Sequence, residues 1–142
     1  MSDLLDRLKA RLWRMTPQRR VVAEVLDGEH VHLSADEVHR LAQQRLPEIS
    51  LATVYNTLNE LVAMRELIEI SCRAGPRRYD PNTATPHQHL LCVSCGQLRD
   101  VQPTGQAALR LPPKQRYGFA VHDVDIVFNG LCPVCRSGAG TP

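Results

Sequence analysis

Two Cys-x-x-Cys pairs, Cys92/Cys95 and Cys132/Cys135, constrain this chain more than any other feature of its sequence. Two residues between thiolates let one tight turn aim both sulfurs at the same ion, and Gly96, Gly130 and Pro133 supply turn-forming residues beside them. Two such turns complete a tetrahedron of soft ligands. That set selects Zn2+ and leaves no position open for water, so the site is expected to be structural and to supply much of its surroundings' folding free energy. The competing reading, a pair of redox dithiols, requires a βαβ setting and a motif that usually stands alone.

At 43% hydrophobic and 23% charged, the 142 residues can bury a core, which excludes wholesale disorder. No apolar run approaches the ~20 residues of a membrane span. The first residues, through Arg7, are acidic where a secretion signal is basic. A cytoplasmic protein without membrane attachment is expected, and in that compartment paired cysteines point to metal rather than disulfides.

Four helices are expected before residue 64. Leu4, Leu5, Leu8 and Leu12 recur at helical spacing, and Thr16-Pro17 opens a second helix whose buried stripe is Val21, Val22, Val25 and Leu26. Ser34 and Glu37 form a capping box for a third helix, which Val38, Leu41 and Ala42 continue and Pro47 stops. Ser50 caps a fourth, with Leu51, Val54, Tyr55, Leu58, Leu61 and Val62 on one face. Residues 67–70 and 77–79 then read as two short strands around Gly75-Pro76. Helices followed by a hairpin outline a winged helix-turn-helix over 1–82. The 81–86 stretch has linker composition, and β-like segments follow at 89–93, 97–102 and 119–129, separated by the proline-bearing 103–116. The expected class is α+β: the winged helix-turn-helix, then a small α/β metal-binding domain over 83–142 with a four-cysteine zinc site.

A second candidate metal site lies in the histidines. His87 and His89 share a strand face if extended, Asp100 stands on the next strand, Asp80 closes the wing, and His32 precedes the third helix. These groups offer only nitrogen and oxygen, a set better suited to Fe2+ or Mn2+ than the sulfur site is. Taken singly, each histidine is more readily a surface side chain than a ligand, and loop aspartates are common caps. A nucleic-acid hydrolase would need an open metal site with a poised carboxylate base; the cysteine site is closed and no Glu neighbours His87 or His89, so an enzyme is not expected.

Net charge is only +2, but the first twenty residues hold Arg7, Lys9, Arg11, Arg14, Arg19 and Arg20, a local basic patch. The fourth helix is the natural recognition helix for the major groove of double-stranded DNA. On it Tyr55 can meet a thymine methyl, and Thr53 and Asn56 can reach phosphates or base edges. Arg19, Arg77 and Arg78 suit phosphate positioning or an ordinary solvated surface equally well.

The ordered set Arg14-Met15-Thr16-Pro17-Gln18-Arg19, Ser34-Ala35-Asp36-Glu37-Val38, Ala52-Thr53-Val54-Tyr55-Asn56-Thr57-Leu58, Arg78-Tyr79-Asp80, His87-Gln88-His89 running into Cys92-Val93-Ser94-Cys95-Gly96, and Gly130-Leu131-Cys132-Pro133-Val134-Cys135 closely resembles the ferric uptake regulator (Fur) family. It looks most like the peroxide-sensing PerR branch, including actinobacterial catalase repressors. The resemblance implies a homodimeric, metal-dependent repressor that binds operator DNA. It places structural zinc on the four paired cysteines and a regulatory Fe2+ or Mn2+ on His32, Asp80, His87, His89 and Asp100. It supports Arg14 and Tyr55 as DNA contacts. Aspartate at positions 80 and 100, and Asn56 after the helix-four tyrosine, match the peroxide branch, which implies oxidation of His32 or His87 as the signal. The alternative within the family is an iron, zinc or nickel uptake regulator. Two departures stand out: Val101 to Tyr117 lacks any acidic residue where many relatives have a helix, and one extra residue separates Asp80 from His87. Cys72 matches no motif and reads as a small strand residue.

Overall fold

Serine, threonine or aspartate precedes each of the first four helices, and each caps the one it precedes. A computed structural model of the chain describes residues 3–28, 31–73, 75–105 and 108–138. It divides into two compact units, Met1–Thr85 and Pro86–Pro142.

In the first unit α1 spans Leu4–Ala10, α2 Pro17–Leu26, α3 Ala35–Gln43 and α4 Leu51–Ala63. The side chains of Asp3, Thr16, Ser34 and Ser50 accept from backbone N–H groups of the first turns, which would otherwise lack partners. In the expected capping box, the Glu37 carboxylate accepts from the Ser34 hydroxyl at 3.1 Å. Leu4, Leu8, Val22, Leu26, Val38, Val54, Leu58 and Leu61 fill one continuous core. Each such side chain contributes roughly 1.5–3 kcal/mol on leaving water.

Two expectations about these helices need correction. Leu12 does not extend the stripe of α1: the helix ends two residues earlier, and Leu12 is 90% exposed with φ 57°. The N–H groups of Leu12 and Trp13 donate to the carbonyls of Lys9 and Leu8, a Schellman closure that needs a left-handed residue where Leu12 stands. A leucine there is strained, so Leu12→Gly is expected to stabilise the protein by about 1 kcal/mol in denaturant melts. On α4, Val54, Thr57, Leu58 and Leu61 at helical spacing take the core, whereas Leu51 and Tyr55 lie one step round the helix and are exposed.

Strands β1 (Ile68–Ile70) and β2 (Arg78–Asp80) pair antiparallel as the wing, with Gly75 at φ 92° in the turn region. Beyond the wing, Leu33 bridges Tyr79 antiparallel, which ties the loop before α3 to β2. Arg7 of α1 and Arg11 at its C-cap both bond the buried Glu66 carboxylate, at 2.7 and 2.9 Å, and Arg7 also donates to the Pro81 carbonyl at 2.8 Å. Burial raises the Glu66 pKa, but hydrogen bonds and charge from the two arginines prevail and hold it below the usual value.

In the second unit β3 (Gln88–Cys92) is central, flanked antiparallel by β4 (Leu98–Val101) and parallel by β5 (Val127–Gly130). A 3-10 turn at Pro113–Gln115 lies in the crossover, and α5 (Pro133–Arg136) is a single turn. Of the β-like 119–129 segment only the end from Val127 pairs; Phe119, Val121 and Val124 are exposed, because the described residues of one copy offer them no strand. The only buried hydrophobic residues described in this unit are Leu91, Cys92 and Leu98.

Candidate metal centres and nucleic-acid interface

All five cysteines are free thiols, and the sulfurs of Cys92, Cys95, Cys132 and Cys135 lie within 4.8 Å of one another. The β3 strand delivers Cys92, whose carbonyl accepts from the Gly96 N–H at 2.9 Å and closes the turn carrying Cys95. The parallel β5 strand ends beside it, Gly130 opposite Cys92, and hands the chain to Cys132 at the N-cap of α5, with Cys135 in that helix. Four sulfurs about 2.3 Å from one tetrahedral ion stand about 3.8 Å apart. The Cys95 and Cys132 sulfurs are 3.8 Å apart. Backbone N–H groups of Cys95 and then Cys132, directed at the Cys92 sulfur, lower its thiol to about 6 and favour the thiolate that metal requires. The donor set fits Zn2+.

The nitrogen and oxygen groups fall into two sets, one in each unit. In the first, the Leu33–Tyr79 bridge makes their neighbours His32 and Asp80 face each other, with His32 Nε2 3.3 Å from Asp80 Oδ2. The other oxygen, Oδ1, accepts from the Asn82 N–H at 2.8 Å, which fixes the carboxylate's orientation. Asp80 is fully buried. In the second unit the β3–β4 register sets His89 directly opposite Asp100. His87, two residues before His89, lies on the same face, and Asp100 Oδ1 is 3.5 Å from His87 Nε2 and 3.6 Å from His89 Nε2. The two rings meet edge to face with centroids 4.8 Å apart. Two imidazoles converging on one carboxylate oxygen, all nearly buried, form a cluster that is costly to leave charged and uncompensated.

On α4, Tyr55 and Asn56 are exposed near the helix N-terminus, and Thr53 is half-buried, its hydroxyl accepting from Ser50 at 2.9 Å. Arg14 is exposed in the segment before α2. Arg77, on the wing, is exposed and paired with Glu69 at 2.9 Å. Arg78 is half-buried, with its Nε enclosed and lacking a hydrogen bond among the described residues. Arg19 is half-buried and bonded within the chain: its guanidinium lies 4.6 Å over the Trp13 ring, bonds both oxygens of Glu60 and donates to the Arg14 carbonyl. Neither Trp13 nor Glu60 was marked by any motif. The one signal was that the chain has a single tryptophan, and it stands inside the basic stretch. Burial pushes the Cys72 thiol up, Arg78 acting against it, so Cys72 is the less reactive for its setting.

A winged helix-turn-helix carrying an exposed recognition helix, with a tetrathiolate site and a histidine–carboxylate cluster in its second unit, defines a DNA-binding regulator that responds to metal. The model of the ferric uptake regulator family matches residues 10–129, and the chain belongs to that family. It is 33% identical to the ferric uptake regulation protein of Bacillus subtilis over 96% of this chain and 97% of that one. It is 28% identical to the peroxide operon regulator of the same organism, over 95% and 92%. Its fold is similar to a solved peroxide stress regulator of Campylobacter jejuni, with TM-score 0.64 and 29% identity over 91% of this chain and 96% of that one. Proteins of the family are transcription regulators rather than enzymes, they bind DNA as dimers, and no described helix here is long and apolar enough to cross a membrane.

Proposed function

We propose that the protein is a cytoplasmic, homodimeric repressor that senses hydrogen peroxide through oxidation of a ligand histidine and so releases peroxide-defence genes. The observation that carries this reading is the donor chemistry of the cluster: His87 and His89 converge on Asp100, His32 faces Asp80, and both carboxylates are aspartates with no thiol among them. The resemblance of the chain to peroxide regulators agrees with it.

As the family resemblance implies, His32, Asp80, His87, His89 and Asp100 would together hold one Fe2+ or Mn2+. Neither set alone supplies the five donors. Sharing an ion would restrain the 81–86 linker and favour the arrangement of two recognition helices that fits successive turns of an operator. Bound Fe2+ would supply the electrons that cleave hydrogen peroxide. His32 and His87 then present the oxidisable imidazoles, and an oxygenated ring no longer offers its nitrogen lone pair on the same terms. Losing one donor of five weakens the restraint and shifts the population away from the DNA-binding form. Tyr55 and Asn56 would read bases, Arg14 and Arg77 would neutralise phosphates, and Thr53 and Arg78 would support the helix and wing; Arg19 is assigned below to another task. Dimerisation would use the second unit, where Leu109, Leu111, Phe119, Val121, Val124 and Phe128 are exposed and the outer edge of β5 has no strand among the described residues.

A second reading, a regulator of metal supply, is favoured by the higher identity to the ferric uptake regulation protein, 33% against 28%. One experiment separates the two. A duplex selected by the Mn2+-loaded protein from a random-sequence pool is bound by the Fe2+-loaded protein under argon, then stoichiometric peroxide is added. Loss of binding with Fe2+ but not Mn2+ is expected. Binding that depends on either metal and survives peroxide would establish the metal-supply reading instead.

A further inference from the structure

The exposed arginine before α2 is held by a bracket that no sequence motif marks. Arg14 lies in a short connection that runs from the strained Leu12 to the α2 cap Thr16. Its backbone carbonyl accepts from Arg19 Nη1 at 2.9 Å. The other terminal nitrogen of Arg19 bonds Glu60 Oε1 and Oε2 at 3.0 and 2.9 Å. Glu60 Oε1 also accepts from Trp13 Nε1 at 2.9 Å, and the Arg19 guanidinium stacks 4.6 Å over the Trp13 ring. Three side chains thus close on one another, and they hold the chain on either side of the peptide joining Trp13 to Arg14. Glu60 belongs to α4, one helical turn beyond Asn56 and on the same side of the helix.

We infer that Trp13, Arg19 and Glu60 are positioning residues for DNA binding, which fix Arg14 to the recognition helix so that the phosphate contact and base reading dock as one rigid surface. The inference rests on the reading of Arg14 as a DNA contact. Its physical basis is that a long arginine on an unsupported connection must lose backbone freedom on binding, whereas one whose carbonyl and preceding ring are already bonded has lost it on folding. The bracket also accounts for a carboxylate close to a DNA-facing helix. Bonded by Arg19 and the indole N–H, Glu60 presents little uncompensated negative charge to phosphates. Arg19 in turn has its charge engaged, and so is a poor phosphate ligand in its own right.

The test is a double-mutant cycle in the Mn2+-loaded dimer, read as affinity for the duplex that the wild-type protein selects from a random-sequence pool. Glu60→Gln keeps an acceptor for Trp13 but loses the ion pair. Alone it should weaken binding about tenfold and, like Arg14→Ala, lower the slope of log affinity against log salt by about one. In an Arg14→Ala background it should change affinity less than about twofold. Arg19→Lys, which keeps charge but cannot both stack and bridge, should reproduce Glu60→Gln and serves if that variant folds poorly by circular dichroism. Equal weakening by Glu60→Gln in both backgrounds, or an unchanged salt slope, overturns the positioning role while leaving Arg14 a contact. Wild-type affinity in Arg14→Ala alone overturns the reading of Arg14 itself, and the inference with it.

Discussion

Cys92→Ser, or removal of zinc from the wild-type protein by a strong chelator, should abolish the fold of residues 86–142 while leaving the first unit largely helical. The second unit buries only Leu91, Cys92 and Leu98 among its described hydrophobic residues. At roughly 1.5–3 kcal/mol each, these cannot offset the ordering of a unit this size, which costs about 1.5 kcal/mol per residue. Structural zinc in small domains supplies about 10–16 kcal/mol at neutral pH. The four sulfurs within 4.8 Å of one another are the groups that would capture it. The expected result is one zinc per wild-type chain, and for Cys92→Ser no zinc, loss of dimer in sedimentation, and a thermal melt that retains only the transition of Met1–Thr85. A Cys92→Ser protein that stays dimeric with an unchanged melt would show that the apolar faces carry the unit without metal.

His89→Ala and Asp100→Ala should each weaken Mn2+ and Fe2+ binding by about 100-fold or more, with zinc content unchanged, and should reduce DNA binding to the level of the metal-free protein. The reason is geometric. Asp100 Oδ1 is the point on which His87 and His89 converge, at 3.5 and 3.6 Å, so removing the carboxylate leaves two near-buried imidazoles facing each other, while removing His89 leaves a buried carboxylate with one partner fewer. Both changes lie on β3 and β4, and β3 runs on to Cys92, so zinc measured on the same samples distinguishes a lost ligand from a lost fold. Titration of Mn2+ by calorimetry gives the affinity directly. Wild-type Mn2+ affinity in Asp100→Ala would remove that residue from the regulatory site.

Most of the first unit was legible because its signals are local. Thr16, Ser34 and Ser50 announce helix starts, and the 3.6-residue stripes of α2 to α4 announce the core. Local signals fail where a residue fits the period but the helix has already ended, as at Leu12, or where a helix face broadens, as at Tyr55. Residues 119–126 form no strand of the sheet, so alternation alone overstated that segment. The pairing of His32 with Asp80 could not be read from spacing, since it depends on the Leu33–Tyr79 bridge between segments far apart in sequence. His87, His89 and Asp100 were legible because a hairpin register relates them. The Trp13–Arg19–Glu60 bracket joins three segments through side chains alone and leaves no periodic trace.

Peptide mass spectrometry of the protein, loaded with Fe2+ under argon and treated with stoichiometric peroxide, tests peroxide sensing by a ligand histidine most directly. A single added oxygen on His32 or His87 is expected, absent when Mn2+ replaces Fe2+. Unmodified histidines, with DNA binding retained after peroxide, would contradict it.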